Sequence, residues 1–119
     1  MIGNKAYTST LPLDVGQLDA LTEGKHTFQE ELLEIFFFNA SECIEVMERN
    51  CIEGNSPKWK DAAEELNNLS KSIGALELSK ICTTAAKVSD SGPLEKKKMI
   101  ANVRANIHKL RVFIRNTRY

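Results

Sequence analysis

Several features are scarce in this chain, and each scarcity excludes a class of protein. No apolar run approaches the roughly 18 to 20 residues needed to span a bilayer, and Met1 to Ser9 lacks the basic and then apolar layout of a signal peptide. A cytoplasmic protein is expected. Cysteine is limited to Cys43, Cys51 and Cys82, an odd number, all on apolar stripes of expected helices; this reads as free buried thiols and not as a disulfide framework. Imidazole is limited to His26 and His108. His26 lies ahead of its expected helix and His108 has no ligating residue one turn away, so no metal site is expected. No nucleophile–base pair and no phosphate-cradling glycine loop is visible either. An enzyme has no support, and no cofactor is implied.

What is present is helical. The 119 residues suffice for one domain with a single core, and a composition of 42% hydrophobic and 27% charged residues suits a globular protein. Residues 1–119 are therefore expected to form one domain, with residues 1–12, polar and without period, loose. Asp14 and Gln17 resemble a capping box opening a short helix, Val15 to Thr22, anchored by Leu18 and Leu21 and ended by Gly24. Thr27 and Glu30 suggest a second box ahead of a long helix, about Phe28 to Ile52. There Phe28, Leu32, Phe36, Ala40, Cys43, Met47 and Cys51 recur at spacings of four and three and make one apolar face. The run Ile35-Phe36-Phe37-Phe38 is too apolar for a helix with one exposed side; either the short helix or a partner covers Ile35 and Phe38, and cover by the short helix is the preferred expectation.

Gly54-Asn55-Ser56-Pro57 is a stop and restart, with Ser56 as N-cap and Pro57 as first helical residue. A helix to Ile73 follows, broken by Gly74, and then another from Ala75 to Val88. Asp90-Ser91-Gly92-Pro93 is the next turn. In the last helix, about Leu94 to Asn116, Ile100, Val103, Ile107, Leu110 and Ile114 form a narrow seam. Brief turns and no alternating strand pattern predict an all-α, up-and-down four-helix bundle with the short N-terminal helix across one end.

Charge is uneven although the net is zero. Residues 94–119 hold eight Lys or Arg and one acidic residue, whereas the preceding 93 hold eight basic and fifteen acidic. One reading is a nucleic-acid surface made by Lys96, Lys97, Lys98, Arg104, Lys109, Arg111, Arg115 and Arg118. Against it, the charges wrap several faces and no base-reading motif accompanies them. The preferred reading is a basic helix packed beside the acidic long one.

The helix from Pro57 to Ile73 is the most informative stretch. At about 100° per residue, Trp59, Ala62, Leu66, Leu69 and Ile73 gather on one side. Lys60, Asp61, Glu64, Asn67, Asn68 and Lys71 gather on the other. From Leu21 to Ile114 the chain resembles the histidine-containing phosphotransfer (HPt) domains of bacterial phosphorelays. That family carries Ala-His-x-Leu-Lys-Gly on its second long helix, then five residues ending in an apolar one, then Gly-Ala. This chain reads Ala63-Glu64-Glu65-Leu66-Asn67-Asn68, then Leu69 to Ile73, then Gly74-Ala75. Leu78 and Cys82 match beyond it, and Glu53-Gly54-Asn55 stands where the family commonly has Gly-Asp.

The resemblance puts Glu64 at the phosphoacceptor histidine, Asn67 at the lysine and Asn68 at the glycine. An imidazole nitrogen attacks phosphorus at neutral pH; a solvated carboxylate is a poor nucleophile and repels the phosphoryl group. Asparagine donates hydrogen bonds to phosphoryl oxygens but brings no charge, and the Asn68 side chain fills space the glycine leaves to a partner. His26 reads as an end-of-helix residue and His108 as a surface histidine among Arg104, Lys109 and Arg111. The resemblance therefore implies a phosphorelay module without its active histidine, a non-catalytic partner of a receiver domain or histidine kinase. It would dock through Lys60, Glu64, Asn67, Asn68 and Lys71. A structural helical-bundle interaction protein outside phosphorelays is the other alternative.

Overall fold

Each helix starts and stops where a side chain or a glycine supplies what the backbone needs. The computed structural model describes residues 11–118, so the expectation for residues 1–10 lies outside them. Five helices follow in order: α1 Val15–Thr22, α2 His26–Arg49, α3 Pro57–Ile73, α4 Leu76–Lys87 and α5 Pro93–Arg118. All regular structure among the described residues is helical. No helix among them is long and apolar enough to cross a membrane.

α1 begins as expected, with the Asp14 carboxylate accepting from the Gln17 N–H at 3.1 Å. Gln17 does not close the box. Its side-chain amide instead donates to the Lys71 carbonyl at 2.7 Å, a second donor to a last-turn carbonyl of α3 that also accepts from the Gly74 N–H at 3.2 Å. The Asp14 N–H donates to the Gly74 carbonyl at 2.8 Å. The segment before α1 is thus laid against the end of α3, where Pro12 and Leu13 are buried and Leu11 is exposed. Gly74 permits this approach. Its φ of 88° is left-handed, and a Cβ there would come within 3.0 Å of the Asp14 carbonyl oxygen.

Leu18 anchors α1, but Leu21 is exposed and Thr22 is buried in its place. The reason is a polar clasp. Thr22 Oγ1 donates to the Leu18 carbonyl and accepts from Gln29 Nε2 at 2.9 Å, while Gln29 Nε2 also donates to Asp19 at 2.6 Å. α2 starts at His26, two residues before the expected Phe28, with Lys25 at the N-cap and no side-chain cap. Thr27 already lies within the first turn, so the expected Thr27–Glu30 box is not the start. The stripe of α2 buries Leu33, Phe36, Ala40, Cys43, Ile44 and Met47, but Phe28, Ile35 and Phe38 remain exposed. α1 does not cover Ile35 or Phe38: its eight residues sit at the N-terminal end of α2 and reach α3 through Gln17.

The four longer helices pack α2 on α3, α3 on α4, α4 on α5 and α5 back on α2. Trp59 Nε1 at the start of α3 donates to the Ala85 carbonyl near the end of α4, and Arg104 meets Glu48 while Arg111 lies over Phe37. Both pairings run antiparallel, giving an up-and-down bundle. Leu66, Leu78, Val103 and Leu110 lie at the centre of one continuous core.

At the end opposite α1, Ser56 caps α3. Its hydroxyl accepts from the Trp59 N–H at 3.3 Å, and its own N–H donates to the Ser89 carbonyl. Beside it Lys96 is fully buried. Its ammonium donates to the carbonyls of Ile52 at 2.6 Å and Gly54 at 2.8 Å, and lies 5.8 Å from the Trp59 ring centre. These carbonyls follow the C-terminus of α2, where the helix dipole favours a cation. Lys96 therefore ties α5 to the α2–α3 turn.

The candidate site on the third helix

α3 is held by its apolar side, and this fixes what its polar side presents. Trp59, Ala62, Ala63, Leu66 and Ile73 are buried, with Leu69 half-buried. Lys60, Asp61, Glu64, Asn68 and Lys71 are exposed. Glu64 stands in the middle of that face, with Lys60 one turn before it and Lys71 two turns after.

Asn67 departs from the expected arrangement. It is half-buried, and its Oδ1 accepts a hydrogen bond from the buried Ser79 hydroxyl of α4. It stands at the border of the polar face, beside the α3–α4 seam, with its Oδ1 engaged by Ser79. A lysine there would leave Ser79 without this acceptor, which gives the asparagine a packing reason.

Between α2 and α3 runs a groove of about 340 Å³ lined in part by Glu42, Val46, Lys58, Asp61 and Glu65, so the flank of the polar face toward α2 is acidic. A crevice of about 420 Å³ lies at the bundle end, among Leu11, Val15, Gly74 and Leu76, away from Glu64.

Cys43, beneath the acidic groove, and Cys82 are buried free thiols; Cys51 is half-buried, its thiol 3.5 Å from the Pro93 carbonyl. Burial pushes the Cys43 thiol up to about 12, with Glu65 and then Glu42 adding to it, and burial likewise pushes Cys82 to about 12. Both thiols keep their protons better in the folded chain than the ordinary value of 9.0 allows. Their contribution to stability is full below pH 9 and lost as pH rises toward 12. An aromatic disulfide reagent at pH 8 is expected to modify Cys51 first and the other two only in denaturant. Equal, rapid reaction of all three would contradict their burial.

The basic helix is largely engaged within the chain. Lys96 is not on the surface, which corrects its inclusion among candidate phosphate contacts. Arg104 pairs with Glu48 of α2, Lys109 approaches Glu77 of α4 at 3.4 Å, and Lys98 approaches Glu95 at 3.6 Å. His108 is exposed beside Arg104 and Arg111, lining a groove of about 190 Å³ with Phe37 and Ser41 of α2. His26 lies in the first turn of α2. Among the described residues no group of three or more His, Cys, Asp or Glu is arranged to hold a metal ion.

The architecture and the site define an all-α bundle presenting one polar helix face with a carboxylate at its middle. Comparison with protein-family models, with curated proteins and with solved structures returns no match.

Proposed function

We propose that the chain is a phosphorelay-type docking module that binds a receiver domain or histidine kinase without accepting a phosphoryl group. One observation carries the reading. Glu64 occupies the centre of the exposed face of α3, while Leu66, Ile73, Gly74 and Leu78, which correspond to the packing positions of the HPt motif, are buried. A carboxylate at that point supplies neither a nucleophilic nitrogen nor a neutral approach for a phosphate dianion. Lys60 and Lys71 provide the cations that an acidic receiver pocket would meet, and Glu64 opposes them. The proposed contact surface is Lys60, Glu64, Asn67, Asn68 and Lys71, with Asn67 at its edge, its Oδ1 accepting from Ser79.

Nucleic-acid binding through α5 has less support. Lys96 is buried, and Arg104 and Lys109 face carboxylates of neighbouring helices. A cytoplasmic location and the absence of catalysis belong to the same proposal.

Titration against the receiver domains of the host tests it. Saturable binding is expected, weakened about tenfold or more by Lys60→Glu with Lys71→Glu, since each reversal replaces an attraction by a repulsion. Failure to bind any receiver or kinase domain would overturn it.

A further inference from the structure

The face formed by α2 and α5 has a property that neither helix has alone. Of the four helix pairs around the bundle, α2 and α5 make the least extensive contact, and shallow grooves of about 190 and 290 Å³ follow their seam. At about 100° per residue, Glu34, Phe38, Ser41 and Glu45 share the outer strip of α2 beside this seam. Lys97, Arg104, His108, Arg111 and Arg115 share the adjoining strip of α5. All of these side chains are exposed. Phe38, a large apolar side chain, is 64% exposed in the middle of the α2 strip. One face thus carries an acidic strip with an apolar centre directly beside a basic strip.

We propose that this face is a twofold interface between two copies of the chain. A twofold axis parallel to the helices exchanges the two strips, so that α2 of each copy lies opposite α5 of the other. The heights agree. Within one copy Glu48 meets Arg104 and Phe37 lies under Arg111, so residues whose numbers sum to roughly 150 stand at one level, helices antiparallel with equal rise. Across the axis, Glu34 then opposes Arg115 of the second copy, Glu45 opposes Arg104 or His108, and Phe38 meets the half-buried Val112. Each pairing occurs twice. The alternative occupants fit less well: a nucleic acid or an anionic membrane drawn to the α5 strip would meet Glu34 and Glu45 on the same face. The polar face of α3 stays open in the assembly, so this interface and the proposed receiver docking stand or fall separately.

Sedimentation velocity on the full chain at low ionic strength tests the interface. The wild type is expected to form a dimer that dissociates as salt rises. Glu34→Arg and Arg115→Glu, both surface changes, are each expected to weaken it about tenfold or more by setting like charges opposite each other twice. An equimolar mixture of the two variants is expected to recover a heterodimer, because Arg at 34 then faces Glu at 115 and the unaltered Glu34 faces the unaltered Arg115. Circular dichroism of each variant confirms its fold. A monomeric wild type, an open-ended polymer, or two variants that fail to combine when mixed would overturn the proposal.

Discussion

Trp59→Ala is expected to lower the free energy of unfolding by about 3–5 kcal/mol, the largest single effect in the chain. Trp59 is fully buried at the junction of α3, α4 and α5, donates to the Ala85 carbonyl at 2.8 Å and carries Lys96 against its ring. Alanine there removes the ring's packing, opens a cavity beside the buried ammonium and deprives the α2–α3 turn of its support. Trp59→Phe separates these contributions. A phenyl ring fills most of the space and still faces the cation, and the Ala85 carbonyl keeps the Val88 N–H at 3.2 Å, so a loss of only about 1–2 kcal/mol is expected. Urea denaturation followed by far-ultraviolet circular dichroism measures both. Equal effects of the two variants would contradict the packing account.

On the proposed docking reading, installing the phosphotransfer residues is expected to confer phosphoryl acceptance. Glu64→His with Asn67→Lys and Asn68→Gly places an imidazole, a cation and clearance on the α3 face, with position 67 at its edge. Acid-labile label from a phosphorylated receiver is expected on this variant. The middle change removes the acceptor of the Ser79 hydroxyl, at an expected loss of about 1–2 kcal/mol in stability. Glu64→His with Asn68→Gly alone keeps that hydrogen bond and is expected to label more slowly, lacking the charge that steadies the phosphoryl oxygens. No label on either variant, with receiver binding intact, would mean that the docked geometry differs from phosphotransfer.

Much of the fold was legible because local chemistry and global packing agree. Ser56 and Pro57 open α3, and Gly74 ends it in a left-handed conformation that also admits the Asp14 backbone. The heptad-like seam of α5 is buried from Ile100 to Leu110. Periodicity was weaker at deciding which part of a wide apolar stripe finds cover. Phe28 continues the stripe by one turn, whereas Ile35 lies off it and Phe38 lies nearly opposite it, and all three stay exposed, since α1 is short and attached at one end of the bundle.

Charge was the hardest property to read. In sequence, Lys96 is indistinguishable in kind from Lys97 and Lys98, yet only Lys96 is buried. A signal was present: Lys96 lies four residues before Ile100 and continues the alternation of four and three through Val103, Ile107 and Leu110. A lysine on an apolar seam at a helix start is placed to reach carbonyls of a neighbouring turn. The polar face of α3 was legible from its spacing, apart from Asn67. An asparagine on the border of such a face is drawn to whichever helix supplies a hydroxyl, and Ser79 came from another element.

The most direct measurement combines docking and chemistry in one tube: incubation of the wild-type chain with a receiver domain carrying labelled phosphoryl group, followed by separation of complex and free protein. Co-migration with the receiver, with no acid-labile label on the chain, is the expected result. Acid-labile label on the wild-type chain, or no association with any receiver or kinase domain, would contradict the reading of Glu64 and of the face around it.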